Sequence, residues 1–211
     1  MERKLKLSLL ALLASLLMVG CAGAATREDS AKAQADSRAE PKIASQNTKP
    51  LIVADFSGCT DENNLGGQMG AAYNAPDSLT ESYVDEAGRG CVAKLSYNIK
   101  GWSAFWMKLQ GVDLSPYRSL AFDIRADPSP GIPTQMKLEL KRANGAEVSI
   151  EYVSGIESTW KTMSINLADF KSPGYAKPLT TLSEMEELVF TFEAAKSGGQ
   201  GVVYLDNISF R

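Results

Sequence analysis

Histidine is absent from the 211 residues. That gap removes Ser-His-Asp and Cys-His nucleophilic catalysis, histidine-ligated zinc and histidine pH switching. A basic patch is missing too. The chain carries 22 lysines and arginines against 25 aspartates and glutamates, for a net charge of −3, and its one basic cluster lies at the extreme N-terminus. No electrostatic footprint for nucleic acid is present. Gly66-Gly67, Gly88-Arg89-Gly90 and Gly198-Gly199-Gln200-Gly201 are turn glycines, and none opens a helix after a strand, so a phosphate-binding loop is lacking. Acidic pairs suited to glycoside hydrolysis occur in any sandwich of this size, but no local motif marks an acid or a nucleophile. The composition points to a chain that is not an enzyme.

The N-terminus is informative. Arg3, Lys4 and Lys6 precede an almost wholly apolar run from Leu7 to Val19. This is the length of a signal-peptide core and is short for a stable membrane span. Met18-Val19-Gly20-Cys21 follows in the pattern of a bacterial lipobox, with cleavage expected at Gly20-Cys21 and a diacylglycerol on the Cys21 thiol. An ordinary secretory signal cut at a nearby alanine is the alternative. Ala22 after the lipidated cysteine favours sorting to the outer membrane, so a lipid-anchored protein of the bacterial cell envelope is expected. With Cys21 committed, Cys59 and Cys91 are the two cysteines left, in an oxidising compartment where pairing is expected. A disulfide closing that loop would stabilise the fold by about 3–4 kcal/mol. Two buried free thiols are the other reading.

Three segments follow. Residues 1–20 read as the signal peptide. Residues 21–50 are rich in Ala, Ser and mixed charge, with few large apolar side chains, and read as a flexible lipid-anchored linker. As a coil it would reach about 30 Å. Residues 51–211 change to short alternating runs between Gly, Pro, Asn and Asp. Leu51–Phe56, Val92–Ile99, Phe105–Leu109, Leu120–Ile124, Met136–Leu140, Glu147–Val153, Met163–Leu167, Leu188–Phe192 and Val202–Phe210 read as strands. Asn144-Gly145 signals a two-residue hairpin. Residues 57–90 read as a long loop that the disulfide would pin, with Tyr73 and Tyr83 in it. A short helix is expected at Ser183–Glu187, capped by Ser183. The fold class is all-β, an antiparallel β-sandwich of the jelly-roll kind, with strand order left open.

Several phrases coincide in order: Asp55-Phe56, Asn63-Asn64-Leu65-Gly66-Gly67, Gly111–Tyr117 into Leu120–Arg125, Trp160-Lys161-Thr162 into Ile165–Phe170, and Val203–Phe210. Over Leu51–Arg211 this resembles the galactose-binding-like jelly rolls of the family 11 carbohydrate-binding module type. It is also similar to the related domain of the mitochondrial complex I intermediate-associated protein 30. The resemblance implies a non-catalytic sandwich, often with a structural calcium ion. Asp55 and Asp206 are the positions it matches to that metal, which would need about six to eight oxygen ligands.

A sugar site needs flat aromatic faces and planar polar groups. Alternation puts Asp123 and Arg125 opposite Leu120, Phe122 and Ile124. Lys137, Glu139 and Lys141 lie opposite Met136, Leu138 and Leu140, and Trp106 and Lys108 lie opposite Phe105, Met107 and Leu109. One sheet face bearing Trp106, Asp123, Arg125 and Glu139 would suit a polysaccharide or oligosaccharide, β-glucan among them. Tyr152 is a further candidate, although its parity with Val148 and Ile150 leaves a core position open. Trp102 beside Gly101 reads either as a ligand contact or as a core plug, and Trp160 as structural. The same charged residues also suit cross-strand ion pairs on a solvated face. The resemblance to the complex I factor implies a second reading, a protein-binding scaffold of the envelope with a protein partner.

Overall fold

The computed structural model describes residues 48–211; the expected signal peptide, Cys21 and most of the linker lie outside them. Among the described residues eleven strands form: β1 (Leu51–Ala54), β2 (Met69–Tyr73), β3 (Ser78–Glu86), β4 (Gly90–Asn98), β5 (Trp102–Val112), β6 (Ser119–Ala126), β7 (Gln135–Arg142), β8 (Glu147–Ser154), β9 (Lys161–Asn166), β10 (Met185–Glu193) and β11 (Gln200–Phe210). A one-turn helix, α1 (Ala194–Ser197), joins β10 to β11. All strand pairs are antiparallel. One sheet runs β3-β4-β11-β6-β9, with β1 also paired to β11, and the other runs β2-β5-β10-β7-β8. The result is a jelly-roll β-sandwich, as the alternating pattern leads one to expect.

The inward positions of both sheets form one core. Leu95, Phe105, Leu120, Phe122, Leu138, Phe190, Phe192, Leu205 and Phe210 are fully buried. Phe122 meets Phe190 edge-to-face at 5.3 Å across the sheets, and Tyr97 stacks on Phe192 at 4.4 Å. Such pairs add to the area term of burial. Among the described residues one core runs from Val53 to Phe210 and draws on both sheets, so residues 48–211 carry a core of their own. Cys59 and Cys91 are joined in a disulfide, which ties the loop after β1 to the start of β4.

Three local expectations are corrected. Residues 57–90 are not one loop, because they contain β2 and β3. The helix expected at Ser183–Glu187 is absent, since β10 begins at Met185. A register shift between Met185 and Glu187 offsets the alternation there, so the two buried residues Met185 and Leu188 are spaced as on a helix. The β7–β8 hairpin forms around Asn144 and Gly145, but Arg142 pairs with Glu147, leaving a four-residue loop.

Candidate functional site: a groove on the five-stranded sheet

The outward face of the five-stranded sheet is a groove of about 1290 Å³. Strand register builds it. Val189 of β10 stands between Trp106 of β5 and Glu139 of β7, and Thr191 stands between Ala104 and Lys137. On the outer strand Tyr152 lies opposite Lys137. Its parity with Val148 and Ile150 therefore means that all three face the groove side, and the core reading of Tyr152 is set aside.

Trp106 lies across Gly70 of β2. A β-carbon at Gly70 would sit 2.8 Å from Cζ2 of the indole, so glycine leaves the ring the room to pack on the neighbouring strand. Trp102 is 39% exposed at the groove's end and is not a core plug. Its turn is clamped by Asp77, whose carboxylate accepts the backbone N–H groups of Lys100, Gly101 and Trp102 at 2.8–2.9 Å. Those amides, led by that of Lys100, hold the Asp77 carboxyl below the usual carboxylate range. Tyr175, 67% exposed, rises on the far side. Its segment is hydrogen-bonded along the edge of β8, through Ile150 with Lys171 and through the Val148 N–H to the Lys177 carbonyl, which also covers that edge. Sequence reasoning passed over Tyr175; an aromatic within Ser172-Pro173-Gly174-Tyr175 was the available signal.

The floor is charged but balanced. Lys137 Nζ contacts Glu193 at 2.9 Å and Glu139 at 3.1 Å, and Lys141 Nζ contacts Glu139 at 3.2 Å. Thr191 Oγ1 donates to Glu139 at 3.0 Å, and the Tyr152 hydroxyl donates to Glu193 at 2.9 Å. Burial opposes ionisation of Glu139, but the charges of Lys141 and Lys137 outweigh it and hold the carboxyl below its usual range. Burial likewise opposes the charge of Lys137, and the hydrogen bond to Glu193 with the charge of Glu139 raises its ammonium well above the ordinary lysine value.

Asp123 and Arg125 are not in this groove. Both lie on β6, on the outward face of the other sheet. There Arg125 bonds Glu86 and Asp127 and stacks on Tyr204 at 3.6 Å. Arg89, at 4.1 Å, and Arg125, at 5.7 Å, both lie over the Trp160 ring. The expected single face of Trp106, Asp123, Arg125 and Glu139 thus divides between two opposite surfaces.

The calcium expectation meets a different obstacle. Asp55, Asp123 and Asp206 line one shallow pocket with Arg89 and Asn207. Arg89 Nη1 sits 2.9 Å from an oxygen of both Asp123 and Asp206. Asn207 donates to both carboxylates, and Thr162 donates to Asp123. Asp55 accepts from the backbone N–H and hydroxyl of Ser57. As placed, these side chains do not fit a calcium ion, because a guanidinium holds the position between the two carboxylates and their oxygens already accept bonds. Among the described residues no three acidic, cysteine or histidine side chains are grouped to hold a metal.

Comparison with known proteins places this geometry. Several solved structures share the fold. A family 11 carbohydrate-binding module of a cellulosomal cellulase of Clostridium thermocellum is 18% identical, with 77% of this chain and 94% of that one covered and a TM-score of 0.60. The family 11 module from Clostridium thermocellum in complex with a β-1,3-1,4-mixed-linked tetrasaccharide is 19% identical, covering 76% and 94%, also at 0.60. A family 29 module complexed with mannohexaose is 13% identical, covering 77% and 90%, at 0.51. At these identities the likeness is one of fold. No curated protein matches the chain in sequence. The family model for carbohydrate binding domain 30 matches residues 54–211, from the last residue of β1 through β11. The chain therefore belongs to the carbohydrate-binding domain 30 family, and its β-sandwich is a non-catalytic carbohydrate-binding module.

Proposed function

We propose that the chain binds polysaccharide through the groove on the five-stranded sheet, as a lipid-anchored protein of the bacterial cell envelope. The observation that carries this reading is Trp106, an indole packed against Gly70 in a groove that Trp102, Tyr152 and Tyr175 also line. A pyranose ring offers an apolar C–H face to such a platform, while its hydroxyls suit the lysines, glutamates and Thr191 around it. The groove exceeds the roughly 300–1,000 Å³ of sites that take one small molecule, so it suits several units of a chain. A β-glucan is the first polymer to try, since a structurally similar module was solved with a mixed-linked glucan fragment. The lipobox at Met18–Cys21 supports tethering at the outer membrane, with the linker holding the sandwich clear of the surface.

The test is retention of residues 48–211 in gels containing soluble polysaccharides. Trp106→Ala is expected to weaken binding by about thirtyfold, as removal of a central aromatic anchor does. Gly70→Ala, which displaces the indole without touching the core, is expected to weaken it several-fold. Retention unchanged in both variants would reject the groove as the site. No retention of the folded wild type by any polymer would favour a protein partner at the envelope instead.

A further inference from the structure

We propose that the groove selects an anionic glycan chain, bearing carboxylate or sulfate groups, over a neutral one; this rests on the groove being the carbohydrate site. Its charged residues form a row in which the signs alternate: Lys108, Glu187, Lys141, Glu139, Lys137, Glu193. Lys108 pairs with Glu187, whose other oxygen is 3.9 Å from Lys141. Lys141 continues to Glu139, Glu139 to Lys137, and Lys137 to Glu193. All six carboxylate oxygens of the row already face a lysine or a hydroxyl donor. The charge of each glutamate is therefore met by a lysine within the row.

The cations are not all used in this way. Lys100 and Lys196 also line the groove, and among the described residues neither is in an ion pair within 4.0 Å. The fold delivers them to the same end. Lys100 is on the turn clamped by Asp77, and the Ala194 N–H at the start of α1 donates to the Gly101 carbonyl. Lys196 rests 3.5 Å over the Tyr152 ring, which fixes its ammonium at the groove wall. The groove holds five lysines against three glutamates. Residues 48–211 as a whole carry 15 basic against 20 acidic residues. A cationic groove on an acidic domain draws in anionic chains and repels them elsewhere on the surface.

The experiment compares residues 48–211 on neutral mixed-linked β-glucan with polygalacturonate and alginate (carboxylated) and with carrageenan (sulfated). Binding to at least one anionic polymer is expected to be about tenfold tighter than to the neutral one. The preference is expected to shrink as salt rises from about 0.02 M to about 0.5 M. Carboxylated and sulfated polymers tell the two anion sources apart. The double variant Lys100→Gln and Lys196→Gln is expected to lose most of the preference. Lys94→Gln with Lys161→Gln, on the other sheet, removes the same charge and should leave the preference in place. Binding to neutral glucan equal to or tighter than to every anionic polymer would overturn the proposal while leaving the groove as a sugar site. Equal loss in both double variants would also overturn it, as bulk charge. Failure of the folded protein to bind any polymer would overturn it together with the reading beneath it.

Discussion

Trp106, on β5, and Trp160, in the loop just before β9 of the other sheet, serve different ends. Trp106 rests on Gly70 and turns toward an open groove. Trp160 has Arg89 and Arg125 over its ring, so it already engages cations of the chain itself. Arg89 has the further task of lying between Asp123 and Asp206, the second of which is one of the two positions, with Asp55, that the resemblance matches to a metal. Its removal leaves two adjacent carboxylates, one of them 5% exposed, with no cation between them. Arg89→Ala is expected to destabilise the domain by about 2 kcal/mol, below the value for a fully buried pair because Arg89 is partly solvated. Thermal unfolding reads this as a fall in Tm. The same measurement on the wild type should give equal Tm values with calcium and with chelator. A Tm that drops on chelation would show that the arginine does not stand in for a metal.

Among the elements, β5, β7 and β10 carry the charged row, and its stability has a definite pH window. Glu139 and Glu193 titrate below their ordinary values in the folded state. Burial opposes this in both; the charge of Lys141 in the first and the hydrogen bond from Lys137 in the second prevail. The stability they contribute is full above the unfolded carboxylate value of about 4.3 and is lost as pH falls through the folded one. Lys137 titrates above its ordinary value, so its share is full below about 10.4 and lost only at higher pH. Tm is therefore expected to fall as pH is lowered below about 4. Lys137→Met, which leaves Glu139 with Lys141 alone, should cost about 2 kcal/mol at neutral pH. A variant with unchanged Tm, or a wild type insensitive to acid, would contradict this. Alternation made these strands legible, because each packs one face on a shared core. It did not carry strand order. Asp123 and Arg125 of β6 read as neighbours of Glu139 of β7 because the strands follow in sequence, yet the chain changes sheets between them. β2 was illegible because Gly70 and Ala72 are small where Trp106 and the groove need room, and β3 because Glu81 and Asp85 interrupt the inward face that Leu79 and Tyr83 supply.

For the whole molecule, the chain joins an acidic sandwich, a cationic aromatic groove on one sheet, and an arginine–aromatic network on the other. The disulfide ties the loop that bears Asp55 to the strand that follows Arg89, so it supports the second face and not the groove. The family and the sandwich could be read from ordered phrases spanning Leu51–Arg211; the division of the charged residues between two faces needed three dimensions. The most direct measurement of the central claim is amide chemical-shift mapping of residues 48–211 during titration with a β-linked oligosaccharide. The account predicts shifts concentrated at Gly70, Trp102–Lys108, Lys137–Lys141, Tyr152, Tyr175 and Val189–Glu193. Shifts concentrated instead around Arg89, Arg125, Trp160 and Tyr204 would place the ligand on the opposite sheet and contradict it.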